Sequence, residues 1–411
     1  MITIDSNTLC RPSEQKCLVP IKLYHWRDSD VYSIVHTENT GNVVTGTLFF
    51  TDSTDPLDTS IIGEPDDQVR LIVRPVATSR QQPEQNSNSD ERWTIKGYVL
   101  HKGHWQERSV QIIPLQEDLF SRARGILDTP LLSDKRVFIA GLGSVGSFVA
   151  ETLATCGIMN FTLLDNDRVS VGNLARQNFY VQDVGRFKTK VTDERILGKN
   201  PYATVETHEV RATWDNENSL RNLIRQNDIA IVAFDNREGR VILNKLCVEE
   251  RKPAIFMGAF HRAYGAQILF TREPGISPCY QCFLMTLPRS EKVHGLGNAS
   301  PAPYANTPVK QFEPGLALDI AAMNTMVGKL CVQQLLERKP TSLRSLDEDL
   351  IAPLWIYLNR REGPYAKLPP LGYNVGDGMS ILAWYGMELK RNPACPVCGD
   401  YEGQMAKLWN N

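Results

Sequence analysis

A glycine triplet between a strand and a helix constrains this chain more than any other feature. Gly141-Leu-Gly143-Ser-Val-Gly146 follows the apolar run RVFIA and opens a segment with helical spacing that ends at Gly157. Asp165 closes the next apolar run, 19 residues after Gly146 (165 minus 146). Glycines permit close approach of backbone to phosphate, and an acid at this distance suits a ribose hydroxyl. The pattern predicts a nucleotide-binding βαβ unit, but it does not separate NAD from ATP.

Continuous apolar runs define the predicted strands of the larger part of the chain. NFTLL, DIAIVAF and AIFMGA contain few polar residues, unlike strands that alternate between core and solvent. Strands covered on both faces are typical of a parallel sheet between helices. We therefore predict the α/β class, with a Rossmann-like domain over residues 119–411 and a mostly parallel sheet. Residues 283–313, rich in Gly, Pro, Ser and Asn, are an unusually long connection and are expected to be a functional crossover loop.

Residues 1–118 have a different composition and read as a small β-rich N-terminal domain. Runs such as LVPIKLYHW, NVVTGTLFF, VRLIVRPV and WTIKGYVL are rich in branched and aromatic residues and are separated by turn formers. Several short strands at this spacing predict a sandwich or barrel. Residues 79–91 form a polar loop between two of these strands. Because no residues here have catalytic spacing, we expect a recruitment or structural module.

Charge and hydropathy exclude some functions. The chain has 45 Lys and Arg against 47 Asp and Glu, so its net charge of −2 lacks the basic excess of a general nucleic-acid binder. No apolar run approaches the roughly 18 residues that a membrane-spanning helix needs. The first residues show no basic-then-apolar signal pattern. We expect a cytoplasmic protein that binds neither nucleic acid nor membrane.

Two Cys-x-x-Cys pairs, Cys279/Cys282 and Cys395/Cys398, account for four of the nine cysteines. In a reducing compartment this pattern favours metal over disulfides, and four thiolates suit tetrahedral zinc with no open position. The pairs are 113 residues apart (395 minus 282), so the fold must bring the C-terminal segment back to close a structural zinc site. A redox role is the weaker interpretation, because neither pair is predicted at the start of a helix in a thioredoxin-like unit.

Polar and basic residues follow the ribose acid in a pattern that a dehydrogenase does not need. The chain continues through Asn173-Leu-Ala-Arg176-Gln177 to Lys188, and Asp235 follows a later strand. Cations here suit an enzyme acting on a triphosphate, because charge builds on the α-phosphate and the leaving pyrophosphate. Together with the glycine loop and the cysteine pairs, these motifs make residues 120–400 resemble the E1-like adenylyltransferases. This is the ThiF/MoeB/HesA superfamily, which includes ubiquitin-activating enzymes.

The resemblance implies a role for each matched residue. Asp165 would bind the ribose, and Asp235 looks like the family's magnesium-binding aspartate. Asn173, Arg176 and Lys188 would contact the phosphates. The remaining nucleotide-binding candidates are Gly141, Gly143, Gly146 and Gln177. A purely structural origin of Asp165, Arg176, Lys188 and Asp235 would require four independent placements to coincide.

The family also supplies an arginine from just before the first strand, often from the other subunit of a homodimer. Ser121-Arg122-Ala-Arg124-Gly offers two candidates here, Arg122 and Arg124. Both could instead cap turns that face solvent. The resemblance implies a homodimer, with Arg122 slightly preferred.

The implied activity is ATP- and Mg²⁺-dependent adenylation of the C-terminal carboxylate of a ubiquitin-like protein, for transfer to an E2-like partner. The chain looks most like the E1 proteins of bacterial ubiquitin-like conjugation operons, some of which act in antiviral defence. The alternatives are adenylation of a peptide or sulfur-carrier protein without a covalent enzyme intermediate, and a non-catalytic scaffold. An NAD-dependent oxidoreductase is a more distant alternative, because no proton-relay group can be placed near a nicotinamide.

The crossover loop departs from the family pattern, because residues 283–330 contain no cysteine. Cys331 falls in an apolar helical stretch and is expected to be an unreactive core thiol. A hydroxyl of the loop could substitute by forming an oxyester, with Thr307 and Ser300 as candidates. A hydroxyl nucleophile would need an activating base, for which His294 is one choice.

Overall fold

The computed structural model describes residues 1–5, 18–26, 30–34, 43–50, 66–75, 93–287, 315–339, 341–368 and 378–400. The chain divides into two compact units, residues 1–122 and 123–411. Each unit contains one eight-stranded sheet within the described ranges. The polar loop at 79–91 and residues 288–313 of the predicted crossover loop lie outside those ranges, as do His294, Ser300 and Thr307.

The described residues of the first unit lie mostly in strands. They are β1 (Ile2–Asp5), β2 (Leu18–Trp26), β3 (Val31–Ile34), β4 (Val43–Phe50), β5 (Val69–Pro75), β6 (Trp93–His101), β7 (His104–Arg108) and β8 (Val110–Ile113), followed by the short helix α1 (Leu115–Leu119). The sheet order is β7-β6-β5-β4-β2-β3-β1-β8. Most neighbours are antiparallel, but β1 pairs in parallel with β3 and β8, and β4 pairs in parallel with β5.

This sheet curls over its own core instead of splitting into two layers. A Cβ built on Gly97 of β6 would lie 2.6 Å from Ile2 Cδ1 and 2.5 Å from Val110 Cγ2, although β1 and β8 lie at the other end of the strand order. Glycine in a strand commonly marks such a close approach. Leu48, Leu71 and other apolar side chains fill the enclosed core. Within the described residues this unit forms one curled sheet, which has the character of the predicted barrel, and no second sheet of a sandwich.

The second unit alternates strands and helices. Its strands are β9 (Arg136–Ala140), β10 (Asn160–Leu164), β11 (Thr204–His208), β12 (Ile229–Val232), β13 (Ala254–Ala259), β14 (Gly265–Thr271), β15 (Leu354–Leu358) and β16 (Ala383–Met387). Its helices are α2 (Gly146–Thr155), α3 (Lys188–Lys199), α4 (Glu217–Gln226), α5 (Arg237–Glu249), α6 (Tyr280–Thr286), α7 (Ala317–Leu336) and α8 (Leu346–Asp349).

The sheet of this unit is parallel in one part and antiparallel in the other. Its order is β11-β10-β9-β12-β13-β14-β15-β16. The first five strands are parallel, in the doubly wound order with β9 central. Strands β14, β15 and β16 continue the sheet antiparallel. The α/β class is confirmed, and the antiparallel extension is a feature that the apolar runs did not predict.

Helices cover both faces of this sheet, which explains its continuous apolar strands. On one face α2 and α7 pack with side chains such as Leu153 and Val327 against Ile139. On the other face α4, α5 and α6 pack with side chains such as Leu246 against Phe138. Consecutive residues of β9 therefore point into two separate cores. Within the described ranges, no helix is both long enough and apolar enough to cross a membrane.

Candidate functional site

The carboxyl ends of β9, β10 and β12 meet at one edge of the second unit's sheet. Successive crossovers leave in opposite directions on either side of β9, so this edge is the switch point where α/β proteins bind ligands. A Cβ built on Gly141, after β9, would lie 2.8 Å from the carbonyl carbon of Ala233, after β12. Gly141 also has φ +93°, which side chains disfavour. Only glycine allows the two strand ends to approach this closely.

The glycine loop then leads into α2 without any side-chain cap. A Cβ on Gly146 would lie 1.9 Å from the carbonyl oxygen of Gly141, so the turn cannot accommodate a larger residue. A Cβ on Gly143 would meet no atom within 4 Å, and this part of the loop is open. Val145 at the N-cap makes no side-chain hydrogen bond to the helix. Ser147 N bonds to Gly143 O at 3.3 Å, and the remaining N–H groups at the start of the helix can bind an anion.

Asp165, at the end of β10, lies beneath this loop. Its Oδ2 accepts a hydrogen bond from Leu142 N at 2.6 Å, and its Oδ1 accepts one from Asp167 N at 2.8 Å. The residue is 6% exposed. Burial raises the pKa of Asp165 above its ordinary value, and the charge of Lys188 opposes that rise. The carboxylate thus fixes the loop to the end of β10.

The chain leaves the sheet after Asp165 and forms an irregular excursion that ends at Lys188, the first residue of α3. Backbone bonds between Val169 and both Gly185 and Arg186 close this excursion, and Lys188 N donates to Asp167 O at 3.1 Å. Lys188 Nζ pairs with Asp167 Oδ2 at 2.8 Å, with Lys188 side chain 7% exposed and Asp167 52% exposed. The turn residue Asp167 is therefore the counterion that holds a buried ammonium at this edge, a role that its sequence position did not reveal.

Asn173, Arg176 and Gln177 lie within the excursion. Asn173 Oδ1 accepts a hydrogen bond from Ser170 N at 2.9 Å, which closes a short 3₁₀ turn. Among the described residues, the Arg176 guanidinium has no hydrogen bond or ion pair. Gln177 is 8% exposed, and its buried Oε1 has no hydrogen-bond partner within those residues. The turn therefore presents one cation and one unsatisfied acceptor that a ligand could engage.

The excursion is attached to the start of α2, next to the glycine loop. Asn178 N donates to Ser147 Oγ at 3.3 Å, and Ser147 Oγ donates to Gly143 O at 2.7 Å. The Asn178 amide also bonds to the Glu151 carboxylate. These contacts place the Asn173–Gln177 turn beside the loop.

Asp235 follows β12 at the same edge and is exposed. The next residue, Asn236, caps α5 by accepting from Gly239 N at 2.7 Å, and Arg240 Nε donates to Phe234 O at 2.7 Å. These two bonds hold the loop while the Asp235 side chain faces solvent. A carboxylate in this position can bind a magnesium ion.

The structure brings together the glycine loop, Asp165, the Asn173–Gln177 turn, Lys188 and Asp235. It does not place Arg122 or Arg124 in this group. Both arginines are exposed, Arg122 in the first unit and Arg124 in the second.

A second cluster consists of four cysteine sulfurs, all within 4.8 Å of one another. The shortest separations across the pairs are 3.3 Å between the Sγ atoms of Cys282 and Cys398 and 3.7 Å between those of Cys279 and Cys395. All four side chains are buried. We call these residues the cysteine cluster. The cluster could hold a metal ion, and the predicted return of the C-terminal segment to the first pair is confirmed.

The environment of the cluster lowers the pKa of two thiols, Cys282 and Cys395, whereas contacts with the other sulfurs raise the pKa of Cys279 and Cys398. A hydrogen bond from Cys279 is the main cause that lowers the pKa of Cys282, to about 6, and that of Cys395 also lies well below its usual range. Backbone N–H groups point at two sulfurs, Asn392 N at 3.4 Å from Cys282 Sγ and Val397 N at 3.5 Å from Cys395 Sγ. The expectation that neither cysteine pair lies at the start of a helix is wrong for the first pair. Cys279 is the N-cap of α6, and Cys282 lies in the first turn of that helix.

The remaining described cysteines are not suited to nucleophilic chemistry. Cys331 and Cys247 are buried in the two helical layers, and desolvation raises the pKa of Cys247 to about 12. Burial also raises the pKa of Cys331 and of the half-buried Cys156. The prediction that Cys331 is a core residue is confirmed.

The ThiF family model matches residues 120–344, more than half of the 411 residues. The chain belongs to the ThiF family. By enzyme class it is an E1-like, ATP-dependent adenylyltransferase. We call the glycine loop, Asp165, the Asn173–Gln177 turn, Lys188 and Asp235 the nucleotide edge. The matched range contains this edge and the first cysteine pair, whereas Cys395 and Cys398 lie beyond it.

Curated relatives in the ThiF family differ in how much of the chain they share. The sulfur carrier protein adenylyltransferase of Thermus thermophilus is 29% identical over 75% of this chain and 93% of its own length. Ubiquitin-like modifier-activating enzyme 5 of Caenorhabditis elegans is 28% identical over 48% of this chain, which spans half the length of that relative. Among solved structures, MccB of Escherichia coli matches 66% of this chain at 22% identity with a TM-score of 0.48.

Sequence reasoning missed two contacts within the ThiF-family unit. The motif pattern assigns no role to Asp167, yet this residue pairs with Lys188. Asn244 of α5 bonds to Cys279 Sγ and Tyr280 N and was not singled out at all. The first contact had no local signal, because Lys188 lies 21 residues after Asp167. The second had no signal, because Asn244 lies 35 residues before Cys279 on a different helix.

Proposed function

We propose that this chain adenylates the C-terminal carboxylate of a ubiquitin-like protein with ATP and Mg²⁺ and passes the activated carboxylate to an E2-like partner. The observation that carries the proposal is the burial of the Lys188 ammonium near the carboxyl end of β10. The glycine loop and the N-terminus of α2, which has no side-chain cap, belong to the same edge of the sheet. A cation and free N–H groups converging on one edge suit a polyphosphate, whose developing charge they would neutralise.

In this proposal the nucleotide lies across the switch point. The loop of Gly141, Gly143 and Gly146 receives the phosphates, and Asp165 receives the ribose. The N–H groups of the first turn of α2 support this orientation, because phosphate oxygens accept hydrogen bonds. Magnesium would be held by the exposed Asp235 and would neutralise phosphate charge when bound.

The proposed reaction needs charge neutralisation more than proton transfer. The substrate carboxylate is already ionised at neutral pH, so its oxygen attacks the α-phosphorus directly. The bond from the α-phosphorus to the bridging oxygen breaks, and pyrophosphate leaves with the electron pair. In this proposal Lys188, Arg176 and Asn173 would stabilise the charge that accumulates on the phosphates. Arg122 or Arg124 would add a further cation from the other subunit of a homodimer.

We propose that the cysteine cluster holds structural zinc. The residues fit that ion: four buried sulfurs converge without an open ligand position, and N–H groups offset the excess negative charge of four thiolates. Zinc would fasten residues 395–398 to the start of α6. It would supply no catalytic step.

We propose further that the E2-like partner belongs to a bacterial ubiquitin-like conjugation pathway that acts in antiviral defence. The likeness to ubiquitin-like modifier-activating enzyme 5 supports a ubiquitin-like substrate. We further propose that residues 1–118 recruit a partner, and that the enzyme acts in the cytosol. An oxyester on Thr307 or Ser300 is the corresponding covalent hypothesis. It predicts a base-labile, thiol-resistant adduct that disappears in Thr307→Ala.

A second candidate is adenylation of a sulfur-carrier protein without a covalent enzyme intermediate. Two observations favour it. The Thermus thermophilus adenylyltransferase is covered over 93% of its length, and the described cysteines outside the cluster are buried or half-buried. Both candidates share the adenylation step and differ in the protein that carries the carboxylate.

The decisive experiment is exchange of labelled pyrophosphate into ATP with ubiquitin-like and sulfur-carrier proteins encoded near this gene. Exchange that requires the free C-terminus of one candidate and disappears in Asp235→Ala would establish adenylation and identify the substrate. The matched control is Asp215→Ala, which removes an acid from the 3₁₀ turn before α4. Tight binding of ATP and of a candidate without any exchange would contradict the proposal and favour a scaffold.

A further inference from the structure

Asn244, near the middle of α5, contacts the cysteine cluster through both atoms of its amide. Its Oδ1 accepts a hydrogen bond from Tyr280 N at 2.8 Å, and its Nδ2 donates to Cys279 Sγ at 3.6 Å. The residue is 1% exposed. Both contacts therefore go to two consecutive residues, a cluster cysteine and the first residue of α6.

A buried amide in this position has a physical explanation. The first N–H groups of a helix have no partner within it, and Cys279 makes no side-chain cap on α6. Asn244 supplies the missing acceptor from a neighbouring helix. Because Oδ1 of Asn244 bonds to Tyr280 N, the Nδ2 group of the same amide points at the sulfur of Cys279.

Backbone N–H groups also point at the cluster, that of Cys282 in the first pair and those of Asn392 and Val397 in the C-terminal segment. Within the described ranges, Asn244 supplies the side-chain amide donor to the cluster from outside both pairs. Four thiolates around a divalent ion leave two excess negative charges, which N–H donors offset. Removal of such supporting partners typically weakens metal binding by about 10- to 100-fold.

We propose that Asn244 is a positioning residue that sets the metal affinity of the cysteine cluster and fastens the cluster to α5. The inference rests on the zinc site proposed above. It assigns Asn244 two separable functions. The Oδ1 atom orients Cys279 by capping α6, and the Nδ2 group lowers the negative charge on the Cys279 sulfur.

The test uses two substitutions that separate these functions. Asn244→Asp keeps an acceptor for Tyr280 N but places a carboxylate against the sulfur. Asn244→Leu removes both bonds at similar volume. The matched control is Asn227→Leu, since Asn227 is equally buried and bonds to Thr162 and to the Leu223 carbonyl, not to the cluster. Zinc dissociation constants are measured on the full chain by competition with a chromophoric chelator, and Co²⁺ substitution reports the thiolate charge-transfer band.

We expect Asn244→Leu to bind zinc about 10- to 100-fold more weakly than wild type, and Asn244→Asp to bind it more weakly still. The charge-transfer band of bound Co²⁺ should shift in both variants and remain unchanged in Asn227→Leu. Unchanged zinc affinity and an unchanged band in Asn244→Asp would overturn the inference while leaving the zinc site intact. A wild-type chain that binds neither zinc nor Co²⁺ through its cysteines would overturn the zinc site as well.

Discussion

The nucleotide edge and the cysteine cluster are built by opposite strategies in the same α/β unit. The nucleotide edge is open, with Asp235 exposed, Arg176 unpaired among the described residues, and a glycine loop that exposes N–H groups. The cysteine cluster is closed, with its four sulfurs buried and directed at one another. The nucleotide edge exposes polar groups without partners at the carboxyl ends of the strands. The cysteine cluster directs its sulfurs at one another in the interior.

This difference indicates that the nucleotide edge serves ligand binding and that the cysteine cluster stabilises the fold. An open edge binds substrates because its groups lack partners until a ligand arrives, and its side chains can change with little effect on folding. A closed cluster leaves no position for a substrate, and its removal should affect the fold before it affects the reaction. The following changes test this division.

The largest effect is expected from Lys188→Met. Removing the ammonium takes away a buried charge that faces the proposed polyphosphate, so pyrophosphate exchange should fall by about 10²- to 10³-fold. The melting temperature should change little, because Asp167, its partner, is half-exposed and can be hydrated. The matched control is Lys190→Met, which removes an exposed lysine two residues away. Equal losses of exchange in both variants would contradict the assignment of Lys188.

Cys395→Ser should lower the stability of the protein and leave the exchange activity intact, which is the reverse of the result expected for Lys188→Met. We expect bound zinc to be lost and the melting temperature to fall by several degrees, because residues 395–398 are no longer fastened to α6. Below the new melting temperature the exchange activity should persist. Metal content by mass spectrometry and thermal unfolding measure the two effects, with Cys156→Ser as control. Loss of exchange at every temperature, with stability retained, would break the distinction between the two sites.

A smaller effect is expected from Asp167→Asn, which removes the charge that holds Lys188. The pair is partly solvated, so we expect KM for ATP to rise by about three- to tenfold while kcat changes less than twofold. Restoration by Asp167→Glu would support a positioning role. A fall in kcat at unchanged KM would instead show that Asp167 acts in the transition state.

The smallest effect concerns pH. Burial raises the pKa of Asp165, so its carboxylate takes up a proton at higher pH than an ordinary aspartate. Because the folded-state pKa exceeds the unfolded one, the ionised group costs stability at neutral pH, and that cost is relieved as pH falls through the raised pKa. ATP affinity should weaken over the same interval as stability gains, as measured by calorimetry and thermal unfolding. Affinity in Asp165→Asn should be low and insensitive to pH there.

Much of this fold was predictable because local rules determine it. Gly146 and Gly157 mark the two ends of α2 through requirements of the backbone alone, and the continuous apolar runs identified β9, β10, β12 and β13. The cysteine spacing predicted a convergence that the structure contains. In each case the relevant physics acts over a few residues or through a fixed ligand chemistry.

The remaining features depend on contacts between distant segments. The antiparallel strands β14 to β16 have no local pattern that distinguishes them from parallel ones. The curled sheet of the first unit depends on Gly97 meeting Ile2 and Val110, and the cap on α6 depends on Asn244. Roles for Arg122 and Arg124 stay predictions.

The order in which the cysteines occur has a consequence for synthesis of the protein. All residues of the nucleotide edge precede position 240, whereas the cluster needs residues 279 and 282 together with 395 and 398. A ribosome therefore completes the nucleotide edge long before the last ligand emerges. A nascent chain interrupted in between would carry half a metal site with exposed thiols. The cluster can therefore close only on chains translated through residue 398.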